Sequence, residues 1–299
     1  YSYGSFILEF EHEEDAIGAP LGRTIAEAEL RHGGESVDLS RLEEIYEAKL
    51  EPIYPSSPQP AGGTIPTLSY AVDERPSPAA SANLRGAATA LGAATAPRIL
   101  IPVFPGTNTE YDAAKVIRAA GAIPEIVVVR NLTPSEVSQS VEHFAERIAE
   151  AQAIFIPGGF SGGDEPDGSA KLITSFFRSG PVREQVGRLL NDRDGLMLGI
   201  CNGFQALVYL GLVPYGEIVD ADADSPTLTF NTVGYHQSRL VRTRVASNLS
   251  PWLMNTAPGE IYTVAISHGE GRFVASEEMM ADLIARGQVA TQYVDLEGN

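Results

Sequence analysis

Beyond residue 97 the apolar positions fall into short continuous runs that alternate with helical faces. Ile99–Phe104 reads as a buried strand. Thr109-Glu-Tyr-Asp112 caps the helix that follows; Ala113, Val116, Ile117 and Ala120 share one face, and Gly121 ends it. Ile126–Val129 is the next strand. Thr133-Pro134-Ser135-Glu136 opens a second helix, with Pro at the first helical position and Glu three residues past the cap. Val137, Val141, Phe144 and Ile148 form its apolar face. Ala153–Ile156 is a third strand, followed by a Gly-rich loop, Gly158–Gly168, and by helices over Ser169–Arg178 and Pro181–Asn191. Leu196–Ile200 is a fourth strand and Gly203–Leu210 another helix. Strands alternating with helices in this way build a parallel sheet covered by helices, and chemistry gathers at the carboxyl ends of such strands. From Leu228 the pattern turns to strands (Leu228–Phe230, Arg239–Val245, Ile261–Ile266), then a helix at Glu277–Ala285 and a strand at Gln288–Val294.

The first 97 residues read differently. Ser5–Phe10 has the apolar run of a strand. Leu39–Ala48 has the pattern of a helix, entered at Asp38 or Ser40, with Glu43 at capping-box spacing from Ser40. About 54 residues with so few elements are too small for an independent core, so this segment calls for a partner. Residues 55–97 hold seven Pro, eleven Ala, five Ser and four Gly, with few large apolar residues. Such a stretch buries too little to offset its ordering entropy and reads as a linker, extended near Pro55, Pro58 and Pro60, with a weak helix over Asn83–Ala94. The expected organisation is a small α+β segment over 1–54, a linker over 55–97 and an α/β domain over 98–299.

Charge sharpens that division. The net charge is −18, and residues 1–54 and 98–299 each carry −9 of it, so the short segment is far more acidic per residue. Nucleic-acid and anionic-membrane surfaces need clustered Lys and Arg and are not expected. No apolar run approaches the roughly 20 residues that cross a bilayer. The chain begins Tyr-Ser-Tyr-Gly without a basic, apolar leader, so no signal peptide is expected, and without an initiator Met, which reads as a piece of a longer protein; its single Cys reads as a reducing, cytoplasmic compartment. One Cys excludes a disulfide framework and a multi-cysteine metal site; no metal is expected.

That Cys carries the chemistry. In Leu198-Gly-Ile-Cys201-Asn-Gly-Phe204-Gln it stands at a strand-to-helix junction with Gly199 and Gly203 two residues to either side. This is the arrangement of a nucleophile elbow with Cys in place of Ser. The helix N-terminus favours a thiolate, and the Asn202 amide points at a developing oxyanion. A packed structural thiol is the bland alternative. Gly158-Gly-Phe-Ser-Gly-Gly-Asp164 follows the third strand; its successive amides can supply a second oxyanion donor, cradle a phosphate or simply shape a loop.

Phe104-Pro-Gly-Thr-Asn108, Pro157-Gly-Gly-Phe-Ser-Gly-Gly-Asp164, Gly199-Ile-Cys-Asn-Gly-Phe-Gln205, Asn231-Thr-Val-Gly-Tyr-His-Gln-Ser-Arg239 and Ser267-His-Gly-Glu-Gly-Arg272 stand in one order along residues 98–299. Together they resemble the glutaminase domain of the phosphoribosylformylglycinamidine synthase family, which belongs to the class I glutamine amidotransferases. Residues 1–54 look like the end of that family's ATP-dependent synthase domain in its long single-chain form. The resemblance implies an α/β fold with a mostly parallel central sheet. It implies that Cys201 forms a glutamyl thioester and that the amides of Gly159 or Phe160 and of Asn202 hold the oxyanion. Gln205 and Asn108 are implied to contact glutamine. The ammonia released would pass to a synthase domain of the same or a companion chain, where ATP and Mg act on formylglycinamide ribonucleotide. The glutaminase domain itself needs no cofactor.

A Cys amidase also needs a base. His268 and Glu270 read as a base pair from the residues alone. The resemblance instead places the catalytic His-x-Glu in a later motif, past Asn299, and gives His268 and Glu270 an interdomain contact. His12, His32, His143 and His236 default to structural roles. Two further readings stay open: a catalytically incomplete docking module, and a cysteine hydrolase of another class with His268 as base.

Overall fold

A computed structural model describes residues 6–49, 65–72, 96–162, 169–222 and 224–298. The chain divides into two units, Tyr1–Pro60 and Ala61–Asn299. In the first, strands β1 (Glu29–His32) and β2 (Glu35–Asp38) form an antiparallel hairpin about Gly33-Gly34. Helix α1 (Leu39–Ala48) follows directly. Asp38 is its cap, accepting from the Ser40 amide at 2.8 Å, so Ser40 lies inside the helix and the Ser40–Glu43 capping box does not form. Phe6–Phe10 is irregular and exposed, in place of the expected strand, because no described segment pairs with it; Ser5 lies outside the described residues. Among the described residues of this unit none is buried, and Leu30, Leu42 and Ile45 face solvent.

The second unit is built on a four-stranded sheet: β3 (Arg98–Val103), β4 (Ile123–Val128), β5 (Ala153–Ile156) and β6 (Leu196–Gly199), in the order β4-β3-β5-β6. Every pairing is parallel. The period of two sorts its side chains. Leu100, Phe104, Val127, Ile154 and Ile156 face a large core under helices α3 (Pro134–Glu150), α4 (Lys171–Phe177), α5 (Gly180–Gly187) and α6 (Asn202–Leu210). Ile99, Ile101, Ile126 and Phe155 face the other way, against α2 (Glu110–Ala119). Phe104, Phe144, Phe176 and Phe177 meet edge to face or tilted at the centre of the larger core, the geometry aromatic quadrupoles favour.

Thr133 and Glu136 close a full capping box on α3. On α2 the buried face is Ala113, Ala114 and Ile117; Val116 and Ala120, expected on the apolar face, are exposed, because the side of the helix that meets the sheet runs through 113, 114 and 117. Thr109 caps α2 through backbone position alone, at φ 69°, without a side-chain bond. Val137 is likewise exposed on α3.

Beyond the parallel sheet, a short helix α7 (Leu212–Tyr215) precedes strands β7 (Thr227–Thr229), β8 (Gln237–Val245), β9 (Ile261–His268) and β10 (Arg272–Val274), helix α8 (Glu277–Ala285) and strand β11 (Thr291–Val294). They form two antiparallel sheets, β11-β8-β9 and β10-β7. Residues 65–72, read from composition as linker, lie along the first of these. Tyr70 donates to the Ala246 carbonyl at 2.8 Å and Leu68 to Gln292 Oε1 at 2.8 Å, and Gln292 Nε2 donates back to Pro66 at 3.0 Å. The Asn83–Ala94 helix lies outside the described residues.

Candidate active site

Three strands deliver their carboxyl ends to one edge of the parallel sheet. β6 runs into α6 through Cys201, whose backbone sits at φ 54°, ψ −112°. That conformation is costly for a residue with a Cβ and persists only where the surroundings enforce it. They do. A Cβ on Gly203 would lie 2.1 Å from the Ile156 carbonyl oxygen, and one on Gly199 would lie 2.5 Å from the Gly203 carbonyl. The two glycines therefore let the first turn of α6 press against β5, and the turn between them forces Cys201 outward. Its side chain is exposed, so a packed structural thiol does not describe it.

The loops after β3 and β5 are laced together beside it. Asn108 N–H donates to the Gly158 carbonyl and Phe160 N–H to the Gly106 carbonyl, both at 2.9 Å, and Gly162 N–H reaches the Pro105 carbonyl at 2.7 Å. Gly159, at φ 130°, crosses so close that a Cβ would fall 2.4 Å from the Gly106 carbonyl oxygen. This lacing corrects one expectation. The Phe160 amide is committed to Gly106 and its ring is exposed, so of the two amides named for this loop the ladder leaves only that of Gly159 outside it. Gly158 backs directly on the nucleophile, its missing Cβ 3.1 Å from Cys201 Cβ. Asn108 is exposed at the rim. Gly163–Gly168, with the Asp164 of the motif, lie outside the described residues.

A polar chain, buried except at its half-buried Glu270 end, runs from Ser161 in the neighbouring loop through Asn202, the residue after Cys201. Ser161 N–H donates to Asn202 Oδ1 at 3.3 Å, and Asn202 Nδ2 donates to Gln205 Oε1 at 3.0 Å. Gln205 Nε2 then reaches Glu270 Oε2 at 3.1 Å and the Glu270 carbonyl at 3.3 Å. Ser169 Oγ donates to the same carboxylate oxygen. Asn202 and Gln205 are both buried. The Gln205 side chain thus has internal partners at both ends.

His268 and Glu270 do not pair with each other. The chain turns after β9, so Glu270 ends the polar chain through Asn202 while the His268 ring goes to Asn231, with Nδ1 3.0 Å from Asn231 Oδ1. Asn231 Nδ2 donates to the carbonyls of His268, at 2.9 Å, and Tyr235, at 3.2 Å, and its Oδ1 accepts from Gly271 N–H at 3.2 Å. With the amide orientation fixed this way, Oδ1 must accept from His268, which places a proton on Nδ1 and, in the neutral ring, the lone pair on Nε2. Burial, and next the neighbouring His236, hold the His268 pKa below its ordinary value. His236 is engaged with Ser267 Oγ at 2.8 Å. Asn231, Ser161 and Ser169 were not singled out by the sequence. Asn231 opens a quoted motif, but only a fixed fold shows what its amide holds.

Residues 96–299 match the family model of a CobB/CobQ-like glutamine amidotransferase domain. The phosphoribosylformylglycinamidine synthase subunit PurQ of Frankia casuarinae is 33% identical over 202 residues, covering 66% of this chain and 71% of that protein. The PurQ subunit of Mycobacterium tuberculosis is 34% identical over 198 residues, covering 66% of this chain and 75% of its own. Among solved structures, PurLQS from Thermotoga maritima aligns with a TM-score of 0.48 and 24% identity, over 67% of this chain and 76% of that one.

Proposed function

The chain belongs to the CobB/CobQ-like glutamine amidotransferase family, and from that premise we propose that Cys201 is the nucleophile of a glutaminase. The observation that carries the reading is the exposed Cys201 held in a strained elbow at the sheet edge. Its sulfur attacks the side-chain amide carbon of glutamine. The S–C bond forms, the carbonyl electrons move to oxygen, and the amides of Gly159 and Asn202 receive that charge. Collapse breaks the C–N bond, and nitrogen leaves as ammonia with the proton taken from the thiol. Water then cleaves the thioester, giving glutamate and restoring the thiol.

The relatives' names set the wider reading. We infer that the ammonia serves phosphoribosylformylglycinamidine synthase, replacing the amide oxygen of formylglycinamide ribonucleotide in purine biosynthesis. The partner is a synthase domain in a companion chain or in the same long chain, whose end residues 1–54 would form. ATP and Mg act on that partner. Among the described residues no group of three or more His, Cys, Asp or Glu is placed to hold a metal. Among the described residues no helix is long and apolar enough to cross a membrane, and a cytoplasmic location is part of the proposal.

The test is labelling with a glutamine-analogue electrophile in the complete native protein. One equivalent on Cys201 is expected, and Cys201→Ala should abolish glutamine use while added ammonium still supports synthesis. Labelling elsewhere, or glutamine turnover by Cys201→Ala, overturns the reading. His268→Ala belongs in the same experiment. Thioester formation that survives it places the base elsewhere; loss of labelling with retained folding supports His268 as base.

A further inference from the structure

The polar chain through Asn202 joins three segments far apart in sequence. Ser161 belongs to the loop that carries Gly159, Asn202 and Gln205 to the first turn of α6, and Glu270 to the turn between β9 and β10. Gly159 and Asn202 are the two amides assigned to the oxyanion. They lie on different segments, and the Ser161-to-Asn202 hydrogen bond is a direct tie between those segments. Asn202 is oriented in turn by Gln205, and Gln205 by Glu270.

We propose that Glu270 is a positioning residue for the chemistry at Cys201: its carboxylate is the fixed end of a hydrogen-bond chain that sets the oxyanion amides of Gly159 and Asn202 in register. The proposal rests on the glutaminase reading above. Direction decides who sets whom. The carboxylate accepts only, so it fixes Gln205 Nε2 as the donor end and Gln205 Oε1 as the acceptor end. Asn202 must then present Nδ2 to Gln205 and Oδ1 to the Ser161 amide. Reversing any amide along the chain would bring two donors or two acceptors together inside a buried site. Ser169 braces the same carboxylate oxygen from the far side of the loop after β5. Glu270 touches neither Cys201 nor the amides it sets, so its influence is on geometry. Misplacement of a reacting group by about 1 Å costs on the order of 100-fold in rate.

Four measurements on the complete native protein test this: kcat and KM for glutamine, alkylation of Cys201 by iodoacetamide, thermal unfolding, and hydrogen exchange of peptides covering 157–162 and 199–205. Glu270→Ala should lower kcat about 10- to 100-fold with KM within about threefold. Iodoacetamide, which needs no oxyanion site, should react within about twofold of wild type, and both peptides should exchange faster. Glu270→Gln should restore most of kcat, because one amide oxygen can still accept from Gln205 and Ser169. Gln205→Met breaks the chain from the other side and should reproduce the Glu270→Ala signature, which covers the case in which Glu270→Ala fails to fold. Unchanged kcat and exchange in Glu270→Ala, or a loss carried wholly by KM, overturns the proposal. So does equal impairment of the Ala and Gln variants. A wild-type protein that hydrolyses no glutamine sinks the glutaminase reading instead, while exchange in the two peptides still judges Glu270.

Discussion

At the residue scale the elbow depends on what cannot be added to it. A Cβ on Gly203 would strike the Ile156 carbonyl oxygen at 2.1 Å, a backbone atom of β5 that cannot swing aside. Gly203→Ala should therefore cost about 1–3 kcal/mol, read as a lowered urea midpoint. Gly158→Ala is a different probe. Its Cβ would stand 3.1 Å from Cys201 Cβ and 3.8 Å from Sγ, against a side chain that is itself exposed. The fold should hold within about 1 kcal/mol, while alkylation of Cys201 slows several-fold. Equal alkylation rates would show that the thiol reacts from another side. The glycine spacing around Cys201 could be read along the chain because an elbow is a local backbone event. The commitment of the Phe160 amide could not, since its partner Gly106 lies on another loop.

At the scale of elements, one carboxylate ties an edge strand into the sheet. Glu125 of β4 meets Arg98 of β3 at 2.6 Å and Arg147 of α3 at 2.5 and 2.9 Å. The hydrogen bond from Arg147, and after it that from Arg98, hold the Glu125 pKa below the usual carboxylate value against the opposing effect of burial. A depressed folded pKa means the unfolded chain takes up the proton first as pH falls. The stabilisation is therefore complete above the ordinary Glu pKa of about 4.3 and is lost as pH falls through the folded value. Glu125→Gln should cost about 2 kcal/mol at neutral pH, and its deficit should shrink below about pH 4. A deficit that stays constant with pH in urea titrations would refute the ion-pair account. The strands and helices on either side of Glu125 were legible from periodicity. The ion triad was not, because it joins residues on three elements.

At the scale of the molecule, composition misplaced a boundary. Residues 65–72 stand inside the Pro-, Ala- and Ser-rich stretch but themselves hold Ile65, Leu68, Tyr70 and Val72; they lie along β8 and β11, and the Tyr70 ring fills the space over Gly287, where a Cβ would come within 2.4 Å. A chain beginning at Ala61 should keep the thermal transition of the second unit. One beginning at Ala96 should lose about 2 kcal/mol, a fall of roughly 4–8 °C. Equal transitions would show that the segment adds nothing to the fold. The first unit presents the opposite case. Its acidity and its shortage of core were plain in the sequence, and none of its described residues is buried.

The sequence by itself determined the alternation of strands and helices after residue 97, the cap that starts α3, and the elbow at Cys201. These follow from hydrophobic period, helix-end chemistry and glycine spacing, all of which act within a few residues. Only the tertiary structure decided that Gln205 answers to Glu270, 65 residues away, and that His268 answers to Asn231, 37 residues away. A hydrogen bond across such distances leaves no periodic trace in the chain. It exists only once the sheet and the β9–β10 turn have fixed where each donor and acceptor stands.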